Sequence, residues 1–158
     1  MTDKLTTCLY FEGQAEDAAR FYTSIFPNSG IGDISRYSDG GYMPAGTAMV
    51  VSFTVDGRAF QAINGPRFER TDAVSLSIDC ADQDEVDHYW SLLTADGGQE
   101  SKCGWLKDKY GFSWQVVPRA LVDIQRRGGA GAERAFKALF GMTKLNVARL
   151  EAAYAEAA

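Results

Sequence analysis

Two stretches of this chain repeat one another. The run FYTSIF starts at Phe21 and HYWSLL at His88, about 67 positions apart, and each follows a short alternating run and precedes a glycine-containing turn. Repetition at that interval means that one supersecondary unit is built twice. The 158 residues then hold two copies of a small unit sharing the work of one domain, not two independent domains.

The pattern inside each copy predicts its elements. QAEDAARFYTSIF, residues 14–26, puts Ala15, Ala18, Ala19, Tyr22, Ile25 and Phe26 on one stripe, and PNSG ends it. Recurrence at three and four residues is the mark of an amphipathic helix. The DQDEVDHYWSLLTADGG run does the same with Val86, Tyr89, Trp90 and Leu93, with acids in its first turn and Gly97-Gly98 at its end. Strands are expected at 4–11, 32–38, 48–55 and 59–64, then at 73–79, 99–104, 104–108 and 112–117. Each copy therefore reads βαβββ, at about 4–66 and 72–118. The Gly- and Pro-rich SDGGYMPAG, residues 38–46, is a loop between two strands.

Alternation separates the faces of the predicted sheets. Val74, Leu76 and Ile78 oppose Ser75, Ser77 and Asp79; Phe112, Trp114 and Val116 oppose Ser113, Gln115 and Val117. Small polar groups with a single amide are the lining expected of a wet concavity rather than of a fully solvated face. After the strands, Ala132, Ala135, Phe136, Leu139 and Phe140 form a helical stripe that Gly141 breaks, and Thr143 is placed to cap a second helix with Val147, Leu150 and Tyr154. Residues 1–126 are read as the sheet domain and 127–158 as a helical extension, whose stripe must cover its own sheet or clasp a second subunit.

Charge and cysteine usage exclude several functions. With 21 acidic and 16 basic residues the net charge is -5 and no long basic run occurs, so neither nucleic acid nor an anionic membrane is an expected partner. MTDKLTTCLYFEG lacks an apolar signal core, and no 18-residue apolar run occurs; a cytoplasmic location is expected. Cys8, Cys80 and Cys103 are widely spaced without a CxxC pair, which points to free thiols. His88 is the one histidine, and it sits on a predicted helix where a packing or surface role is expected. The chain has no glycine-rich phosphate loop, GxSxG elbow or HExxH.

KCGWLKDKYGFSWQVVP, residues 102–118, looks the most chemical. Its DKYG has Asp first and Gly fourth, as a type I turn requires, so the segment is read as a hairpin with Trp114 in the core and Lys107 and Lys109 on a solvated edge. Trp105 is a candidate pocket wall. Cys103 has no neighbouring base to activate it and is a pocket candidate rather than a nucleophile. Asn64-Gly65-Pro66 reads as a turn closing a strand.

The succession FEGQAEDAARFYTSIFPNSGI, FQAINGP, DQDEVDHYWSLL, CGWLKDKYGFSWQVVP and MTKLNVARLEAAY closely resembles the PhnB-like family of the vicinal oxygen chelate (glyoxalase/bleomycin-resistance/dioxygenase) superfamily, over almost the whole chain. That family often carries the label 3-demethylubiquinone-9 3-methyltransferase. The resemblance implies an α+β fold of two paired βαβββ modules forming a cup-shaped sheet, assembled as a homodimer. Superfamily enzymes hold a divalent metal on histidines near the first strand of each module and glutamates on the last. The matching positions here are Thr7 or Cys8, Ser75, Gln61 and Gln115, none an imidazole or carboxylate. Four neutral weak ligands do not offset the dehydration of a divalent ion, so no metal and no other cofactor is expected. A nucleoside-type methyl donor would call for a glycine motif after a first strand, whereas GGAGAER follows the sheets. The expectation is a protein binding a small organic molecule through Thr7 or Cys8, Gln61, Ser75 and Gln115, with Cys103 and Trp105 in the pocket wall. The alternative is an enzyme, either a divergent metal-dependent lyase or dioxygenase or a methyltransferase of the quinone-precursor type.

Overall fold

Each copy of the repeat folds into its own four-stranded sheet, and the two sheets share one strand order. The structure is a computed structural model and describes residues 4–67 and 69–156. The first unit, Met1–Glu69, contains β1 (Thr7–Phe11), α1 (Ala15–Ile25), β2 (Gly30–Arg36), β3 (Ala48–Val55) and β4 (Arg58–Asn64) in the sheet order β1-β4-β3-β2. The second, Arg70–Ala158, contains β5 (Leu76–Cys80), α2 (Gln83–Thr94), β6 (Gln99–Glu100), β7 (Trp105–Lys107) and β8 (Ser113–Pro118) in the order β5-β8-β7-β6. In each unit the first strand runs parallel to the last and the remaining neighbours are antiparallel. The α+β class and the doubled βαβββ module are therefore both present.

Residue size explains how α1 settles on its sheet. Ala15, Ala18 and Ala19 are fully buried, so the backbone approaches closely, and Tyr22 reaches over to stack on Phe53 at 6.4 Å, with Phe53 on Phe60 at 5.4 Å. In the second unit Val86, Trp90 and Leu93 are the buried residues of α2, which covers β7 and β8. The Trp90 indole N–H donates to Glu100 at 2.6 Å, satisfying a polar group that burial would otherwise penalise. The helices correct the expected repeat offset. Sequence identity pairs Tyr22 with Tyr89, but burial pairs Ala18, Tyr22 and Ile25 with Val86, Trp90 and Leu93, one position further along; Tyr89 is only half-buried and His88 is exposed.

Several expected strands shorten, β1 to Thr7–Phe11 and β7 to Trp105–Lys107 among them. Residues 73–75 precede β5, which leaves Val74 72% exposed instead of aligned with Leu76 and Ile78, and β6 is two residues long. The first unit is fastened by Asn64, whose buried side chain accepts from the Gly13 and Ala15 amides at 2.8 and 3.0 Å and donates to the Ala48 carbonyl at 2.8 Å. It thereby serves the start of α1, where Gln14 makes no side-chain cap. Gly65 follows because a Cβ there would run into the Tyr10 ring and hydroxyl.

The helical segment begins earlier than periodicity implied. α3 (Arg119–Arg127), α4 (Gly129–Leu139) and α5 (Val147–Ala155) follow β8 directly. The missed signal for α3 was its ending: Arg126-Arg127 in the last turn, then Gly128 at φ 64. Asn146, not Thr143, caps α5, accepting from the Arg149 amide at 2.9 Å. Ile124, Ala132, Ala135, Leu139, Met142, Leu145 and Leu150 form one buried cluster. Phe140, expected in the stripe, is 68% exposed because α4 stops at Leu139 and the chain turns away. The tail is tied to its own unit. The Cys103 and Gly104 amides donate to the Met142 and Thr143 carbonyls at 2.8 Å each. The Gln83 side chain pairs with Leu145 and Val147, and Lys144 meets Asp87 at 2.6 Å. Among the described residues no helix is long and apolar enough to cross a membrane.

Candidate functional site

The helices cover one face of each sheet, so any site on a sheet lies on the other. In the first unit Leu9 and Phe11 point to the helix side together with Phe60 and Ala62. Side chains alternate along a strand, which puts Cys8 on the open side and Thr7 on the side of Leu9. Register then aligns Cys8 with Gln61, and Gln61 with Ser52. The open choice between Thr7 and Cys8 for the face of Gln61 falls to Cys8; Thr7 instead borders a depression of about 390 Å³ with Arg58 and Ala59. Cys8 is exposed, and partial desolvation raises its thiol above the ordinary pKa.

The second unit assembles a richer row. β5, β8 and β7 align Ser77 with Gln115 and Gln115 with Trp105. The Gln115 amide nitrogen donates to Ser75 Oγ at 2.9 Å. Ser75 lies just before β5 and is bonded to Gln115, while Ser77 is the residue in register, equivalent to Cys8 in the first unit. A strand that begins at 73 makes Ser75 the equivalent residue; the late start of β5 at Leu76 moves the equivalence two residues on, to Ser77.

Beside this row is a cavity of about 370 Å³ lined by Trp105, Lys107, Ser113, Asp72, Cys103, Leu106, Ser101 and Lys102. Asp72 accepts from Ser113 Oγ at 2.6 Å and meets Lys107 Nζ at 3.1 Å. The Ser113 hydrogen bond first, and the Lys107 ammonium second, hold its carboxyl below the usual aspartate range. Asp72, Ser113 and Lys102 were not among the sequence candidates. Asp72 is more than 40 residues from its serine partner and meets it only because β8 lies beside the segment leading into β5.

Much of the residues 102–118 segment is structural. The Gly111 amide donates to the Asp108 carbonyl at 2.8 Å, closing the expected turn. The Asp108 carboxylate, 2% exposed, accepts from the Tyr110 and Phe112 amides at 2.9 and 3.1 Å and from the Trp114 indole at 2.8 Å. Trp114 is buried, as expected of a core residue. Cys103 takes a left-handed backbone, φ 60, its Sγ lies 3.7 Å from the Leu139 carbonyl, and it packs against the tail cluster while also bordering the cavity. Cys80 is buried and its thiol is pushed up to about 12, mainly by desolvation.

The donors do not suit the divalent metal that the superfamily resemblance implies. Cys8, Gln61, Ser75, Ser77 and Gln115 supply hydroxyls, amides and a single thiol, and among the described residues no group of three or more His, Cys, Asp or Glu could hold a metal ion.

The family described as 3-demethylubiquinone-9 3-methyltransferase matches residues 3–117. Among solved structures, the PhnB protein of Bacillus cereus, which bears the same methyltransferase description, is 39% identical over 73% of this chain and 99% of its own, with TM-score 0.68. Protein PA1353 of Pseudomonas aeruginosa is 18% identical over 74% of this chain and 98% of its own, with TM-score 0.61. The fosfomycin resistance protein FosX of Listeria monocytogenes, complexed with Mn(II) and sulfate, is 12% identical over 75% of this chain and 90% of its own, with TM-score 0.52. The last two share the fold. No curated protein matches the chain significantly.

Proposed function

The chain belongs to the 3-demethylubiquinone-9 3-methyltransferase (PhnB-like) family, and from that premise we propose that it binds a small organic molecule on the open face of its second sheet, without a metal and as a twofold dimer. The observation that carries this reading is the alignment of Ser77, Gln115 and Trp105 across three strands, with Gln115 anchored to Ser75. An amide held by its nitrogen presents its oxygen as a fixed acceptor, and an adjacent indole supplies apolar area. A few positioned polar groups beside an aromatic wall are what a small-molecule site requires. On the first sheet Cys8, Gln61 and Ser52 repeat the arrangement more weakly, lacking an aromatic at the position of Trp105.

Methyl transfer, which the family description names, finds less support. The glycines at 128 and 129 have positive φ and join α3 to α4, so the GGAGAER run shapes a helix junction.

Gln115→Leu should abolish thermal-shift responses to small organic ligands that stabilise the wild type, while the unliganded protein loses less than about 1 kcal/mol, because Gln115 is on the face opposite the core. A loss on the scale of core truncations, about 2–5 kcal/mol, would mean the faces are assigned the wrong way round. Elemental analysis of protein purified without chelator should find Zn, Ni, Fe and Mn well below one per chain. Light scattering should give twice the mass of one chain; a stoichiometric metal or a monomer counts against the corresponding part of this proposal.

A further inference from the structure

The cavity beside Trp105 has a charge balance unlike the rest of the chain. The protein carries five more acidic than basic residues, yet this cavity is bordered by two lysines, Lys102 and Lys107, and by a single carboxylate, Asp72. That carboxylate is already engaged on its Oδ1 by the Ser113 hydroxyl at 2.6 Å and by Lys107 at 3.1 Å. Lys102, on the loop before β7, makes no ion pair with any described residue. One cation is left over, next to the half-buried indole of Trp105, in a space of about 370 Å³, the volume of a small ring system with a short substituent.

We infer that this cavity takes a planar aromatic or conjugated organic anion, its ring lying against Trp105 and its negative group meeting the Lys102 ammonium. The inference rests on the ligand-binding reading above and adds the charge and shape of the ligand. An extended flat ring recovers contact with the indole through offset stacking, which a flexible aliphatic chain of equal volume does not. The anionic group gains a charge-assisted hydrogen bond from a lysine that has no ionic partner among the described residues to lose, whereas a cationic ligand would have to compete with Lys107 for Asp72. The Lys107–Asp72 pair then positions rather than binds: it holds Lys107 along the cavity rim and keeps the Asp72 charge from repelling the ligand.

Three probes of one ring system separate charge from shape: 2-naphthoate, 2-naphthamide and 2-naphthylmethylammonium, titrated at low salt into the full chain and followed at the Trp105 indole N–H by NMR. That signal is assigned with Trp105→Phe. 2-Naphthoate should bind about three- to tenfold more tightly than 2-naphthamide, and 2-naphthylmethylammonium most weakly, as expected for one partly shielded ion pair. Lys102→Met should bring naphthoate to the affinity of naphthamide without changing the latter. Equal binding of the two, a preference for the ammonium probe, or a naphthoate preference that survives Lys102→Met would overturn the assignment of charge while leaving the site in place. If none of the probes shifts the Trp105 indole, and ligands lost in Gln115→Leu leave that indole unmoved, the cavity is not the site and this inference fails while the sheet-face reading stands. If Gln115→Leu loses no ligand either, both fall.

Discussion

A chain ended at Gly131 should lose the fold of its second unit. The truncation removes Ala132, Ala135, Leu139, Met142, Leu145 and Leu150 from one buried cluster and strands Ile124 on the surface of α3. Burying a large aliphatic side chain is worth roughly 1.5–3 kcal/mol, so four such residues represent a sum comparable with the whole stability of a small domain, about 5–15 kcal/mol. The cut also strips the carbonyl partners of the Cys103 and Gly104 amides and two of the partners of the Gln83 side chain, Leu145 and Val147. Far-UV circular dichroism and light scattering should report partial unfolding and aggregation. Leu150→Ala in the full chain supplies a milder version, at a cost of about 2–5 kcal/mol in urea unfolding. A truncated protein that stays soluble with an unchanged melting temperature, together with a Leu150→Ala cost under about 1 kcal/mol, would show that the cluster contributes little.

Asp108→Ala should be nearly as damaging. It deletes a carboxylate that is 2% exposed and leaves the Trp114 indole and the Tyr110 and Phe112 amides without their acceptor. Hydrogen bonds to a charged group contribute about 1.5–3 kcal/mol each, and a buried donor left unpaired costs further, so a loss of about 3–5 kcal/mol is expected. Asp108→Asn should lose less: it keeps an oxygen for the two amides but turns an NH₂ toward the Trp114 N–H. Urea titration followed by tryptophan fluorescence measures both. Equal costs for Ala and Asn would mean that the indole contact alone matters.

These two effects mark where sequence reading succeeded and where it stopped. The DKYG turn was legible because Asp and Gly occupy the positions whose backbone geometry demands them, and the carboxylate did turn out to organise that turn. That the same carboxylate also caps the Trp114 indole was not, since that depends on the rotamer a buried tryptophan adopts under α2. The tail posed a binary choice, its own sheet or a second subunit. It packs on its own unit because Cys103, with φ 60, and Gly104, with φ 81, turn two adjacent amides toward residues 142 and 143. A Cβ at Gly104 would come within 2.9 Å of Leu145 and of the Val116 carbonyl, which accounts for the glycine in a place where no turn rule asked for one.

What the sequence determined alone was the local and the periodic. The doubled βαβββ order, both sheet-covering helices, the apolar faces and the placing of Gln61 and Gln115 on the faces away from the helices all follow from spacing that a single strand or helix imposes on its own side chains. Only the tertiary structure decided matters of register and of long-range meeting. The offset between the copies moves by one residue in the helices because burial, not identity, aligns Tyr22 with Trp90. Cys8 rather than Thr7 shares the face of Gln61 because a strand flips sides with every residue, and a one-residue ambiguity in where it begins is an ambiguity between its two faces. The partnership of Asp72 with Ser113 and Lys107 joins segments about 35 to 41 residues apart that only the pairing of β7 and β8 beside the segment leading into β5 brings within hydrogen-bonding distance.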